Sequence, residues 1–180
     1  MTKKYELVLD DTIGFWGWKL FRIRALISFG SVEVGDLGGY IEKEDNLSHD
    51  GNAWVSGNAK VWGDAEVSGN AWVSGDAKVS GNAKVWGDAE VSGNVWVSGD
   101  AWVSGDAKVS ELGDIIVFKN HWSSGRHFTY TKSNKMWKAG CFYGTGQELI
   151  EKAYRDSEKS GNHYKAYVDF VESLEKLNDQ

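Results

Sequence analysis

Residues 115–147 hold five basic side chains, Lys119, Arg126, Lys132, Lys135 and Lys138, and not one carboxylate. The 180-residue chain carries a net charge of −6, so this stretch is a basic island in an acidic protein. Seven aromatic residues interleave with the cations: Phe118, Trp122, Phe128, Tyr130, Trp137, Phe142 and Tyr143. Cations meet phosphates and aromatic faces stack on bases, so the composition suits a ligand that offers both. The stretch ends in Gly144-Thr145-Gly146 at the start of a helical pattern, where free N–H groups and the helix dipole favour an anion. No Gly-Lys-Ser/Thr follows, so this is not a P-loop. The candidate ligand-binding residues are Trp122, Arg126, Tyr130, Lys132, Lys135, Trp137, Lys138, Tyr143, Thr145 and Gly146. Their expected ligand is small, anionic and nucleotide-like. A long nucleic acid fits poorly, because residues 33–114 contain five basic and fifteen acidic residues, net −10, and repel an extended polyanion. The competing reading is that the rings pack a cap while the lysines balance the acidic remainder.

Catalytic constellations are sparse. The four histidines, His49, His121, His127 and His163, are scattered, and a three-histidine zinc site would need residues from opposite ends to converge. Cys141, the single cysteine, rules out an intramolecular disulfide framework and, between apolar neighbours, reads as a buried packing residue. The acid pairs Glu148/Glu151 and Glu172/Glu175 read as solvated helix faces. The expectation is a non-enzyme with no cofactor and no metal.

The elements that must position these residues are dominated by a repeat. From Gly51 to Ser110 the chain is ten consecutive hexads, from Gly51-Asn52-Ala53-Trp54-Val55-Ser56 to Gly105-Asp106-Ala107-Lys108-Val109-Ser110. Position 1 is always Gly, position 2 Asn or Asp, position 5 Val, and position 3 Ala except at Val95. Gly followed by Asn or Asp makes a corner. The alternation that follows sends Ala and Val inward and the variable residues outward. Such a side buries nothing alone, so coils must stack. All six repeat tryptophans take outward positions, two to a face: Trp54 with Trp72, Trp62 with Trp96, Trp86 with Trp102. Residues 57–80 and 81–104 differ only at Ala71/Val95 and Lys78/Trp102. That 24-residue copy is four hexads and moves each copied side chain to the next face.

The pattern resembles the hexapeptide-repeat, left-handed parallel β-helix family, in which three hexads make a coil and residues 18 apart stack. The resemblance implies a homo-oligomer, with a trimer favoured. Members of that family include acyltransferases and a zinc carbonic anhydrase, whose histidines sit on or beside the coils, whereas these hexads contain none. The flanks Arg22-Ile23-Arg24-Ala25-Leu26 and Gly35-Asp36-Leu37-Gly38-Gly39-Tyr40-Ile41-Glu42, with the segment from Thr129 to Tyr154, resemble small phage and prophage hexapeptide-repeat proteins.

At the ends, Tyr5–Leu9 and Leu20–Ile27 read as strands about a Gly14/Gly17 turn, followed by an irregular lead-in. Ile115–Phe118, His127–Thr131 and Met136–Cys141 read as three short strands. Thr145-Gly146-Gln147-Glu148 is a capping box opening a helix. Ser160-Gly161 is expected to stop it, and Asn162 to cap a second helix, giving an αα-hairpin on the solenoid end.

The expected fold is therefore mainly β: a left-handed parallel β-helix with β-rich caps and a C-terminal helical hairpin. Its expected parts are residues 1–50 (cap and lead-in), 51–110 (solenoid), 111–144 (basic-aromatic segment) and 145–180 (hairpin). No run approaches 18 uninterrupted apolar residues, so no membrane span is expected, and the expected location is the cytoplasm of a bacterial host. The expected function is a non-catalytic, phage-type sponge for a nucleotide-like signal of antiviral defence. The alternative is a protein-interaction module using the outward tryptophans, with an acyltransferase third.

Overall fold

The computed structural model describes residues 2–180. The chain divides into two compact units: one runs through Ile116 and takes in Thr131–Asn134, the other comprises Val117–Tyr130 and Lys135–Gln180.

The first unit opens with an antiparallel hairpin of β1 (Tyr5–Phe15) and β2 (Trp18–Ala25), turning at Trp16-Gly17. Strand β3 (Leu37–Ile41) follows. Then come ten two-residue strands, β4–β13: Trp54–Val55, Lys60–Val61, Glu66–Val67, Trp72–Val73, Lys78–Val79, Lys84–Val85, Glu90–Val91, Trp96–Val97, Trp102–Val103 and Lys108–Val109. They pair in parallel at a spacing of three hexads. One face stacks β4, β7, β10 and β13, a second β6, β9 and β12, and a third β3, β5, β8 and β11. This is the parallel β-helix expected from the repeat. The ten corner glycines take φ between 62° and 73°, open to glycine without strain. A Cβ on Gly69 would also stand 3.0 Å from the backbone of Gly87 in the next coil. The inward Ala and Val side chains are almost all fully buried, with Val95 the most exposed at 7 %.

The lead-in proves to be part of the solenoid. Tyr40 and Ile41 pair with Lys60 and Val61, and Leu47 bridges in parallel to Val67. Ile41 and Leu47 stand at hexad spacing, but a two-residue insertion before Val55 throws them out of phase with the repeat. Their ladder partners are thus 20 rather than 18 residues away, which is why the sequence alone reads them as irregular.

The ladder has a polarity that dictates its caps. Outside the two-residue strands, each coil donates N–H groups forward to carbonyls of the next, as in Ala53 N to Gly69 O and Asn58 N to Gly75 O. The first coil therefore presents unpaired carbonyls, and every unpaired buried carbonyl is costly. Lys4 Nζ donates to Ala53 O at 2.8 Å and Gly51 O at 3.4 Å. Asn46 Nδ2 donates to Ala65 O and Gly63 O at 2.9 and 3.1 Å, and Arg22 Nη1 to Gly38 O at 2.9 Å. The last coil presents N–H groups, and acceptors meet them. Ser133 Oγ accepts from Lys108 N at 2.7 Å, and Asp114 Oδ2 from Ser110 N and Glu111 N at 2.8 and 2.9 Å. Side-chain donors thus predominate at the first end, where Glu42 Oε2 also accepts from Gly63 N at 2.7 Å, and acceptors meet the last.

Lys4 is only 1 % exposed, and burial lowers its pKa from 10.5 to about 8, partly opposed by Asp50. The folded state thus disfavours the ammonium form. Between about pH 8 and 10.5 the unfolded chain holds the proton and the folded chain does not, so this residue's contribution to stability rises with pH, by on the order of 3 kcal/mol in all. Urea denaturation of wild type and Lys4→Met from pH 7 to 10.5 should show that difference. Parallel curves would refute it.

Two of the repeat tryptophans are sealed by the N-terminal elements. Trp54, 2 % exposed, lies against Tyr5 and Phe29. Trp62, 5 % exposed, packs with Leu20, Tyr40, Ile13 and Phe15. The expected pairs are present on all three faces: Trp54 and Trp72 are ladder partners, and ring centroids lie 6.0 Å apart for Trp62/Trp96 and 6.5 Å for Trp86/Trp102.

The remaining sheet runs in the order β14 (Ile115–Lys119), β15 (His127–Thr131), β16 (Met136–Ala139) and β17 (Phe142–Thr145). The single expected strand Met136–Cys141 is instead the first arm of a hairpin turning at Gly140-Cys141, where Gly140 takes φ 57°. Helix α1 (Gly146–Asp156) opens on the expected Thr145/Glu148 capping box. Helix α2 (Glu158–Asn178) is capped by Ser157, whose side chain accepts from Ser160 N. The expected stop at Ser160-Gly161 and cap at Asn162 therefore fall inside α2. Gly161 is there for proximity rather than termination: a Cβ would stand 2.2 Å from the Tyr154 ring. The helical hairpin lays its apolar face on this sheet, with the Tyr164 and Tyr167 rings 5.2 and 5.3 Å from Phe128. Among the described residues no helix is long and apolar enough to cross a membrane.

Candidate functional site

Within the second unit, β15, the β14–β15 loop, the β16–β17 turn and the two helices line a half-open cavity of about 240 Å³. The loop is shaped by Asn120, which is 5 % exposed. Its Oδ1 accepts from Ser123 N, Ser123 Oγ and Ser124 N at 3.0, 3.1 and 3.4 Å. Its Nδ2 donates to Tyr164 Oη at 3.3 Å, tying the loop to α2. An Asn that mimics a backbone turn in this way needs the short polar residues that follow it here.

Asn120, Ser123, Ser124, Arg126 and His127 line one side of the cavity. Ala139, Gly140, Cys141 and Phe142 come from the β16–β17 turn, Leu149, Lys152, Ala153 and Asp156 from α1, and Ser160 and Tyr164 from α2. Lys152 pairs with Asp156 at 3.1 Å, one helical turn on. Burial pushes the Tyr164 hydroxyl above its usual pKa, with the bond from Asn120 opposing, so it stays protonated at neutral pH. The site thus offers the Arg126 guanidinium, a Lys152 ammonium already paired with the Asp156 carboxylate, several hydroxyl and amide groups, and the apolar side chains of Phe142, Leu149 and Ala153. Such a surface can hold one anionic group and one ring.

The structure brings only Arg126 of the ten expected binding residues into this cavity. Trp137, Tyr130 and Lys138 are 2, 4 and 7 % exposed. Trp137 packs among Phe118, Phe128 and Tyr130 at 5.0–6.1 Å, and the Tyr130 hydroxyl bonds the Glu175 carboxylate. Their faces are already covered by protein, so they cannot stack on a ligand. Burial also lowers the Lys138 ammonium, which the Cys141 thiol partly offsets. Trp122 is half-buried, stacked on His163 at 4.7 Å and on Tyr167 at 5.8 Å.

The expected anion nest at the start of α1 is filled from within. Glu148 Oε2 accepts from Thr145 N at 2.8 Å, and a Cβ on Gly146 would meet Val168 at 2.8 Å. Gly146 is a close-packing residue, and the helix supplies its own carboxylate. Lys132, Lys135 and Tyr143 are exposed and do not line the cavity. In these respects the competing reading, rings packing a cap, describes the aromatic stretch.

Cys141 corrects a further expectation, because it is exposed and lines the cavity instead of packing in a core. Sequence reasoning missed Asn120, Lys152 and Tyr164. The Asn-x-x-Ser-Ser-Gly spacing from Asn120 to Gly125 is a local turn signal that points to the first. Lys152 and Tyr164 are set by helix packing alone. Among the described residues no group of three His, Cys, Asp or Glu could hold a metal ion.

The class defined by these observations is a parallel β-helix protein with a helix-backed sheet that carries a small polar cavity. No protein-family model and no curated protein sequence matches the chain.

Proposed function

We propose that the second unit binds a small phosphorylated, nucleotide-like ligand in the Arg126/Lys152 cavity and does so without turning it over. The observation that carries the reading is the cavity itself, whose lining combines Arg126, the Lys152/Asp156 pair, the polar residues Asn120, Ser123 and Ser124, and the apolar Phe142, Leu149 and Ala153. Its volume lies below the roughly 300–1,000 Å³ of common ligand sites, which favours a single ring with one phosphate over a dinucleotide. In this reading the solenoid is a rigid frame, and the biological role is sequestering a nucleotide signal, of the kind that phage-like flanks bring into a bacterial cytoplasm.

Calorimetry with inorganic phosphate, AMP and cyclic mononucleotides tests it. The wild-type chain should bind at least one nucleotide, recovered unchanged in mass after heat release. Arg126→Glu with Lys152→Glu should weaken that binding about 100-fold, the worth of one or two charge-assisted hydrogen bonds. No binding at millimolar ligand, or unchanged affinity in the double variant, would exclude the reading. A chemically altered ligand would replace it with catalysis, and Cys141→Ser would then show whether the thiol takes part.

A further inference from the structure

The outward ladders of the solenoid differ in how they place charge. Glu66 is followed one rung on by Lys84 at 3.2 Å, and Glu90 by Lys108 at 3.8 Å. On the third face Lys60 is followed by Lys78, and Lys78 by Trp96. Like charges directly opposite on adjacent strands are unfavourable. Lys60 Nζ donates only to Asn58 O at 2.9 Å, and Lys78 Nζ to Asp76 O and Asn94 Oδ1, each at 3.3 Å. Neither lysine forms an ion pair among the described residues. Burial and the neighbouring Lys78 both hold the Lys60 ammonium below its usual pKa, with Asp76 opposing. The same hexad position accepts Glu or Trp elsewhere in the repeat, so the coil does not require this stacked pair.

The tip of the β1–β2 hairpin stands over this ladder. The Phe15 ring lies 5.4 Å from Lys60 Nζ. Trp16 stacks on Phe15 at 5.3 Å and meets Trp96 at 5.0 Å, and Trp96 Nε1 is held by Ser80 Oγ at 2.8 Å. Trp16 is nevertheless 71 % exposed, and it takes φ 48°, a turn conformation that suits Asn, Asp or Gly. A large ring is thus kept in solvent on a strained turn, beside two stacked cations that form no ion pair among the described residues.

We infer that this face docks a short acidic peptide segment of a partner protein. Its carboxylates meet Lys60 and Lys78, and an aromatic or long apolar side chain lies across Trp16 and Trp96. Charge complementarity selects the occupant. The stacked lysines attract carboxylates, and because residues 33–114 are net −10 around them the anionic segment must be short, since an extended polyanion would run onto repulsive neighbours. The surface lies wholly in the first unit and does not depend on the cavity.

Selection of random heptapeptides displayed on phage, against the immobilised full chain, tests the inference. Enriched peptides should combine at least two carboxylates with an aromatic residue. A synthetic copy should bind about tenfold or more weakly to Lys60→Glu with Lys78→Glu. Trp16→Asn, which suits the turn and keeps the hairpin, should also weaken it, while Arg126→Glu should not. Thermal melts confirm that each variant is folded. Absence of acidic-aromatic enrichment overturns the inference, as does equal enrichment on the lysine variant or tighter binding of a labelled deoxythymidine oligonucleotide than of any peptide.

Discussion

Asn46→Asp should destabilise the first unit by about 3–5 kcal/mol at pH 7, although it exchanges one atom for its isostere. Asn46 is fully buried and donates from Nδ2 to the carbonyls of Gly63 and Ala65, while its Oδ1 accepts from Lys43 N at 3.0 Å. A carboxylate keeps the bond from Lys43 but turns its second oxygen on two carbonyl oxygens. Such a group prefers to be protonated, so its folded pKa lies above the unfolded value of about 3.9. Below that value both states hold the proton and the penalty is small. It grows as pH rises through the folded pKa and is complete above it. The deficit relative to wild type, read by urea denaturation, should therefore shrink between pH 7 and pH 4. A deficit under about 1 kcal/mol at pH 7, or one independent of pH, would mean that the end of the coil does not need this donor.

Trp137→Ala should cost the second unit about 3–5 kcal/mol, the usual effect of emptying a buried aromatic site. The helical circular-dichroism signal reports it, since α1 and α2 both belong to that unit. Were Trp137 a stacking platform for a ligand, the variant would melt like wild type and lose affinity instead. The ring's 2 % exposure and its packing among Phe118, Phe128 and Tyr130 decide for the first outcome.

These two residues also mark where sequence reasoning succeeds and stops. The repeat was legible because its evidence is redundant: a misjudged Val73 leaves Val67 and Val79 to fix the phase. Ladder spacing, corner glycines and tryptophan pairs all follow from that phase. Asn46 has no such redundancy, because its role exists only once the first coil has presented its carbonyls. Trp137 shows a different limit. Rings interleaved with cations have the same composition whether they face a base or one another, and only the covering helix α2 decides. Gly161 reads as a helix end because glycine breaks helices in isolation, yet here the ring of Tyr154 leaves room for nothing larger. Arg126, which lines the cavity, is legible as a candidate because a loop cation near aromatic residues is a local feature. Lys152, its counterpart across the cavity, comes from a helix that reads locally as a solvated face.

The three-sided coil also has a consequence for how such a surface changes. Lys60 and Lys84 occupy equivalent places in the two 24-residue copies, yet Lys60 faces Lys78 while Lys84 faces Glu66 and Trp102. Because 24 is not a multiple of 18, copying works like a dial with three stops: it advances every side chain by one stop and deals it new neighbours. A chain built this way can acquire a repulsive lysine pair or an aromatic ridge with hardly any new residues. Its surface chemistry is written partly in remainders.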